Sequence, residues 1–302
     1  MFADIFYWLL NMSISSAITG LVVLFLGRLR KIPRRFVYIL WFIPFIRMWL
    51  PFGMTSKYSL MTLISKLTTR TVVVYKGVKG LTTTNYVMAA DSYFPITYKV
   101  NLLENIFQIA FIIWAIVAAA LLLALIIIYT ITRSELKSAR HLSGNIYISD
   151  KITSPATYGI FKPMIILPEK YEQKDLQYIL LHENIHIKAV DNLWRIIAFV
   201  SVIIHWFNPL AWLFLKIFLE EAELACDEWV MASCGEAEKK AYATVLVNCC
   251  ESKNVFASAF GGAKVRVRVN RILSYRKLSL FSVISFAVLV SAIGYTLITN
   301  AV

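Results

Sequence analysis

Three long stretches of this sequence contain no charged side chain, and each exceeds the roughly 20 residues that a helix needs to cross a bilayer. They are Ile5 to Gly27, Asn105 to Thr132 and Leu278 to Val302. The chain has 302 residues, of which 59% are hydrophobic and only 16% charged, which is too apolar for a soluble globular domain. The sequence therefore predicts a mostly helical integral membrane protein.

A fourth apolar stretch, from Phe36 to about Gly53, is predicted to complete a set of four transmembrane helices. It is the weakest of the four as a span, because Pro44 bends it and Arg47 interrupts it. A long basic side chain near a helix end can, however, reach the lipid headgroups, and we expect Arg47 to do so. The first stretch lacks the basic leader of a cleaved signal peptide and is predicted to be retained.

Two clusters of basic residues indicate the orientation, because short loops rich in arginine and lysine mark the cytoplasmic side. They lie in residues 28–35 and 266–277, and both are cytoplasmic if the N-terminus is outside. We therefore predict a multi-pass protein of a bacterial-type plasma membrane. Its expected divisions are a transmembrane hairpin (1–53), an extracellular loop (54–104), a third transmembrane helix (105–132), a cytoplasmic domain (133–277) and a fourth transmembrane helix (278–302).

The net charge of +13 is concentrated beside the apolar stretches rather than along one face of a soluble fold. Attraction to anionic membrane lipid explains this distribution, and no direct binding of nucleic acid is expected. The cysteines all lie in the segment assigned to the cytoplasm, where thiols stay reduced, so no disulfide is predicted. Cys226 is expected to be a small buried side chain.

The cytoplasmic segment begins with a β element and continues as helix. Residues 144–168 alternate β-branched and aromatic side chains between turn signals, which predicts a strand, a turn and a strand. A helical period follows from about Glu172. Residues 69–88, in the extracellular loop, are also rich in β-branched side chains and predict a small hairpin or an extended surface loop.

The uncharged stretch from Ile196 to Leu215 is long enough for another span, but its middle contains helix-start signals. Asn208 is a good N-cap and Pro209 a good first helical residue. We therefore predict two antiparallel helices whose tip lies against or shallowly within the inner leaflet. The second helix is expected to end at Gly235.

The segment LLHENIHIKAVDN contains the pattern H-E-x-x-H at His182, Glu183 and His186. Residues four apart share one face of a helix, so both imidazoles can bind one metal ion while Glu183 lies beside it. The pattern arises by chance in only about a few such chains per thousand, which makes it specific. The competing interpretation is an ordinary polar helix turn.

A zinc site that hydrolyses peptides needs a third protein ligand and one open position. Glu223 and Asp227 are one helical turn apart, so one can bind the metal while the other hydrogen-bonds a ligand histidine. Two antiparallel helices of about fifteen residues, roughly 22 Å each, return Glu223 to the level of the histidines. Glu220 and Glu221 are alternatives to Glu223.

The segments LLHENIHIKAVDNLWR, WFNPLAW and EAELACDEWV, with SPATYGIFKPMIILP upstream, resemble the membrane-embedded zinc peptidases of the BlaR/MecR type, the beta-lactam-sensing regulators. The resemblance covers about 300 residues. It implies a cytoplasmic α+β, gluzincin-like peptidase domain. It also implies zinc bound by His182, His186 and Glu223, with Glu183 as general base and acid and Asp227 in a supporting position.

The resemblance further implies a zinc endopeptidase of signal transduction that cleaves itself and triggers the loss of a cytoplasmic repressor, as in antibiotic resistance. Topology makes residues 266–277 an exposed region for self-cleavage, and the strand at residues 160–167 is a candidate for edge pairing with an extended substrate. Relatives continue into an extracellular penicillin-binding domain, whereas this sequence ends at Val302, so antibiotic sensing is not carried over.

The alternative function is a non-catalytic membrane receptor or scaffold that binds a cytoplasmic regulator. An intact Glu183 favours the enzyme, because a scaffold has no need of a base beside the metal. A homo-oligomer is compatible with the sequence.

Overall fold

The computed structural model describes residues 2–29, 32–50, 54–62, 103–169, 175–250 and 264–299. The predicted hairpin at residues 69–88 lies outside them. The helices are α1 (Phe2–Gly27), α2 (Arg34–Leu40), α3 (Phe42–Trp49), α4 (Leu103–Leu136), α5 (Leu176–Lys188), α6 (Asp191–Ile204), α7 (Pro209–Cys234), α8 (Lys239–Cys250), α9 (Val265–Leu273) and α10 (Leu280–Ile298). The strands are β1 (Arg140–Ser143), β2 (Ile146–Ser149), β3 (Ala156–Tyr158) and β4 (Met164–Pro168), and a short 3-10 helix (Glu236–Glu238) follows α7.

Three of the described helices are long and apolar enough to cross a membrane: Asp4–Gly27 in α1, Ile106–Leu136 in α4 and Leu280–Ile298 in α10. They coincide with the three uncharged stretches of the sequence. The fourth stretch forms two short helices, α2 and α3, separated at Trp41. Pro44 has no N–H to donate to the carbonyl four residues earlier, which explains the break. A fourth span therefore stays a prediction.

Arg47 does not reach outward from α3 as expected. Its side chain is only 3% exposed, and Nη1 donates to the carbonyl of Ile298 at 3.1 Å, at the end of α10. The last carbonyls of a helix have no partner within the helix and carry partial negative charge, so a guanidinium is favourable there. Ser59 Oγ donates to the carbonyl of Thr299 at 2.5 Å beside it. The C-terminal end of α10 is thus joined to α3 through Arg47 and to the following segment through Ser59.

The helices α6 and α7 form the predicted antiparallel pair. Asn208 Oδ1 accepts a hydrogen bond from the backbone N–H two residues later at 3.0 Å, and Pro209 is the first residue of α7. The helix ends before Gly235, whose φ of 93° is easily adopted only by a residue without a side chain. The predicted start and end of this helix are therefore confirmed.

The tip of this pair packs against two of the membrane-length helices. Asn208 Nδ2 donates to Ser13 Oγ at 2.8 Å, and Trp114 Nε1 donates to the carbonyl of Ile204 at 2.6 Å. Ser13 and Trp114 belong to two of the helices that can cross a membrane. The side-chain amide of Asn208 and the carbonyl of Ile204 thus have hydrogen-bond partners inside the helical bundle.

The strands form one sheet in the order β1-β2-β4-β3, with β2 and β4 parallel and the outer pairs antiparallel. The strand β4 is therefore central, and its residues Ile165, Ile166 and Leu167 are completely buried. The hypothesis that residues 160–167 offer a free edge to substrate is wrong, because both sides of β4 are already paired. The strand β3 is the edge beside α5.

The helix α7 belongs to the two largest hydrophobic cores of the described residues. Its first half packs in the helical bundle through Phe214 and Phe218, and its second half packs beneath the sheet through Cys226 and Val230. Glu223 lies between the two halves. The position of Glu223 is therefore determined by packing on both sides.

Candidate metal centre

The H-E-x-x-H segment lies on α5, as predicted. Tyr178, Ile179 and Ile185 bury one face of this helix in the core beneath the sheet. His182 and His186 follow on successive turns of the same face, with their Nε2 atoms 3.1 Å apart. Both imidazoles therefore point their Nε2 atoms toward one region of space.

The helix α7 returns Glu223 to the same region. Its Oε2 lies 3.6 Å from His182 Nε2, and its Oε1 lies 3.7 Å from His186 Nε2. The two helical segments of about equal length thus return Glu223 to the level of the histidines, as predicted. The role of Glu223 as a metal ligand stays a prediction.

Asp191, the first residue of α6, orients His186. Its Oδ2 lies 2.5 Å from His186 Nδ1, and its Oδ1 accepts a hydrogen bond from the Tyr38 hydroxyl at 2.7 Å. A carboxylate can only accept, so Nδ1 carries the hydrogen. The Nε2 lone pair of His186 is then free for a metal.

Asp227 acts on His182 through an intermediate residue rather than directly. The Tyr242 hydroxyl donates to Asp227 Oδ1 at 2.7 Å and lies 2.9 Å from His182 Nδ1, whereas the carboxylate itself is 3.6 Å from that nitrogen. Because the single phenolic proton is given to Asp227, the phenolic oxygen accepts from His182 Nδ1–H. This relay also leaves the Nε2 lone pair of His182 free.

Two arginines surround the acidic groups of the site. Arg195 Nη2 donates to Glu223 Oε1 at 2.9 Å, and Arg268 holds both oxygens of Asp227 at 2.7 Å. Burial alone would raise the pKa of Glu223, but Arg268, His186 and the other neighbours lower that pKa well below its usual range. Glu223 is thus an anion surrounded by donors.

The distances fit a metal such as zinc. Two tetrahedral bonds of about 2.0–2.1 Å place their donor atoms about 3.3 Å apart, close to the spacing of the two imidazole nitrogens and the carboxylate. The donors of His182, His186 and Cys226 also lie within 4.8 Å of one another. Cys226 Sγ, however, contacts His182 at Nδ1, 3.3 Å away, on the ring edge opposite the facing Nε2 atoms.

Glu183 is held beside the metal-binding atoms by β3. Thr157 Oγ1 donates to Glu183 Oε2 at 2.8 Å. Asn192 Nδ2 in turn donates to the carbonyls of Thr157 and Gly159, at 3.1 and 3.0 Å. These two carbonyls belong to the outer edge of the sheet, so a side-chain amide already occupies the acceptors that an added strand would use.

A helix with paired histidines and an acidic residue, a carboxylate returned by a second helix, and several apolar membrane-length helices together define the class of membrane metallopeptidases. The chain belongs to the BlaR1 peptidase M56 family, whose sequence model matches residues 7–272.

Two relatives carry names that refer to regulation or to methicillin resistance. The regulatory protein BlaR1 of Bacillus licheniformis is 30% identical over 119 residues, which are 38% of this chain and 20% of that protein. The methicillin resistance mecR1 protein of Staphylococcus aureus strain Mu50 is 29% identical over 138 residues, which are 42% of this chain and 24% of that protein. The matched part of the chain thus spans less than a quarter of either relative.

Several residues of the site carried no recognised signal in the sequence. Asp191 follows His186 by five positions, and a search for an acidic residue shortly after the second histidine would have found it. Tyr242 and Arg268 contact the site from distant helices, 60 residues from His182 and 41 residues from Asp227. No local pattern identifies such partners.

Proposed function

We propose that the chain is an integral membrane zinc endopeptidase in which His182, His186 and Glu223 bind the metal. One observation supports this most. The Nε2 atoms of both histidines face Glu223, while each Nδ1 donates to a buried acceptor that fixes the tautomer. A polar helix turn without a metal has no need of two separately oriented imidazoles.

A zinc ion held by these groups supplies Lewis acidity, which activates water and polarises a carbonyl at neutral pH. Glu183 takes a proton from the attacking water and delivers it to the leaving amine. The hydroxyl of Thr157 orients the Glu183 carboxylate for both transfers. Asp227 and Asp191 keep the histidines in the metal-binding tautomer, and Arg195 neutralises part of the local negative charge.

We further propose that the site faces the cytoplasm. Backbone N–H groups of Arg34 and Arg35, at the end of the basic cluster after α1 and the start of α2, donate to Glu228 on α7. Arg34 Nη1 also donates to Glu221 at 2.6 Å. The basic loop and the candidate site therefore share one side of the bundle, and basic loops are typically cytoplasmic.

The proposed role is signal transduction, with a cytoplasmic protein such as a transcriptional repressor as the substrate, in line with the regulatory names of the relatives. Self-cleavage is part of the proposal, but its region needs revision. Residues 265–273 form α9, in which Arg268 and Ile272 are buried, so the expected exposed stretch is a docked helix. A peptide bond there can be cut only after α9 leaves its position.

Elemental analysis and intact mass of the detergent-purified chain test the proposal. We expect about one zinc per chain in the wild type and in Glu183→Gln, much less in His186→Ala, and an unchanged value in His141→Ala, which removes an exposed histidine. Fragments that form in the wild type but not in Glu183→Gln would establish the peptidase. No zinc in a folded wild-type sample would refute it and favour the receptor or scaffold.

A further inference from the structure

Arg268 contacts the very atoms that the metal is proposed to bind. Its Nη1 lies 3.2 Å from Glu223 Oε2, and its Nη2 lies 3.4 Å from His182 Nε2. A guanidinium has no lone pair to offer a metal and keeps its charge at any physiological pH. Arg268 is therefore a permanent cation at the edge of the candidate site.

The guanidinium is held there by its other contacts. Nε and Nη2 of Arg268 form a two-point bond with Asp227, both at 2.7 Å. Charge-assisted pairs with this fork geometry are among the strongest hydrogen bonds in proteins. Arg268 cannot turn away from Glu223 without loosening this pair, so its position depends on where α9 lies.

The helix α9 is itself docked mainly through one face. Ile272 is buried and Val265 and Val269 pack in the core beneath the sheet, next to α7 and α8. Arg266 and Val267, on the opposite face, are exposed. Arg268 is the basic residue of α9 that points into the site, and it is 8% exposed.

We propose that Arg268 competes with the metal for Glu223 and His182, so that the docking of α9 and the binding of zinc oppose each other. The inference rests on the proposed function, because it takes these two residues as metal ligands. Zinc and the guanidinium carry like charge and share two contact atoms, so each weakens the hold of the other. The guanidinium of Arg268 thereby weakens zinc binding, and bound zinc in turn weakens the packing of α9 against the site.

Zinc affinity, measured by competition with a chromogenic chelator on the full chain in detergent, tests the competition. We expect Arg268→Gln to bind zinc at least about tenfold more tightly than the wild type, because a neutral side chain no longer opposes the metal. Arg268→Lys, which keeps the charge, should stay closer to the wild type. Arg266→Gln, which removes an exposed charge from the same helix, should leave the affinity unchanged.

Equal or weaker zinc binding by Arg268→Gln would overturn the proposal and make Arg268 a support of the ligands. If that variant does not fold, hydrogen exchange in the wild type decides, since zinc should accelerate exchange in residues 265–273. Slower or unchanged exchange on zinc addition would contradict the proposal. If the wild type binds no zinc, the proposed function itself is refuted. If the wild type binds zinc but Arg268→Gln does not bind it more tightly, only the competition is refuted.

Discussion

The relay from His182 through Tyr242 to Asp227 leads to a quantitative prediction for Tyr242→Phe. The substitution removes the acceptor of His182 Nδ1–H and leaves Asp227 Oδ1 at 3.6 Å, beyond hydrogen-bonding distance. The imidazole is then free to carry its hydrogen on Nε2, where the metal should bind. Loss of such an outer contact typically weakens metal binding by about 10–100-fold, or roughly 1.4–2.7 kcal/mol.

The assay is a zinc competition titration of the purified chain, together with thermal unfolding to confirm that the variant is folded. Tyr178→Phe is the matched control. Its hydroxyl donates to Glu238 at 2.8 Å and its ring lies 6.1 Å from the Tyr242 ring, so the control removes a neighbouring phenolic hydroxyl and keeps the one that faces His182. We expect the control to keep wild-type affinity. If Tyr242→Phe also keeps wild-type affinity, or if both variants lose zinc equally, the relay does not orient His182.

Three further predictions concern stability. Gly20→Ala should lower the free energy of unfolding by about 1–3 kcal/mol, and with it the unfolding midpoint, because the new Cβ would lie 2.1 Å from the buried ring of Phe214. An unchanged midpoint would contradict this packing. Asn192→Ala should cost about 1–3 kcal/mol and speed hydrogen exchange in β3, since two carbonyls lose their donor; exchange at the wild-type rate would disprove it. Burial raises the pKa of Glu221 from 4.5 to about 7 despite Arg34, so the folded chain keeps a proton that the unfolded chain releases. Stability from this group should therefore fall as pH rises from about 4.5 to 7, and Glu221→Gln should flatten that part of the curve; a parallel pH dependence in both proteins would refute the assignment.

The sequence was most informative where a local rule applied. The absence of charge located the three membrane-length helices, and Asn208 with Pro209 located the start of α7, because these signals act within a few residues. The return of Glu223 followed from counting residues along two helices of equal length. Such inferences need only the local geometry of a helix.

The failures involve partners that are distant in the chain. The packing of the α6–α7 tip depends on Ser13 meeting Asn208, 195 residues later, and the cap on α10 depends on Arg47 meeting Ile298. The strand order also could not be read from the sequence, since alternation predicts strands but not their neighbours. The burial of Arg268 needed knowledge of Asp227, because an arginine is expected at the surface unless it is paired.

The packing of α7 in both the helical bundle and the core beneath the sheet has a mechanical consequence. The helix is 26 residues long, and one residue corresponds to about 1.5 Å along its axis. Metal–ligand distances tolerate only about 0.2 Å. A displacement of α7 much smaller than one residue, imposed on Phe214 within the bundle, would therefore carry Glu223 out of register with the histidines. If Glu223 binds the proposed metal, a sub-ångström displacement among the apolar helices would therefore make or break a metal–ligand bond.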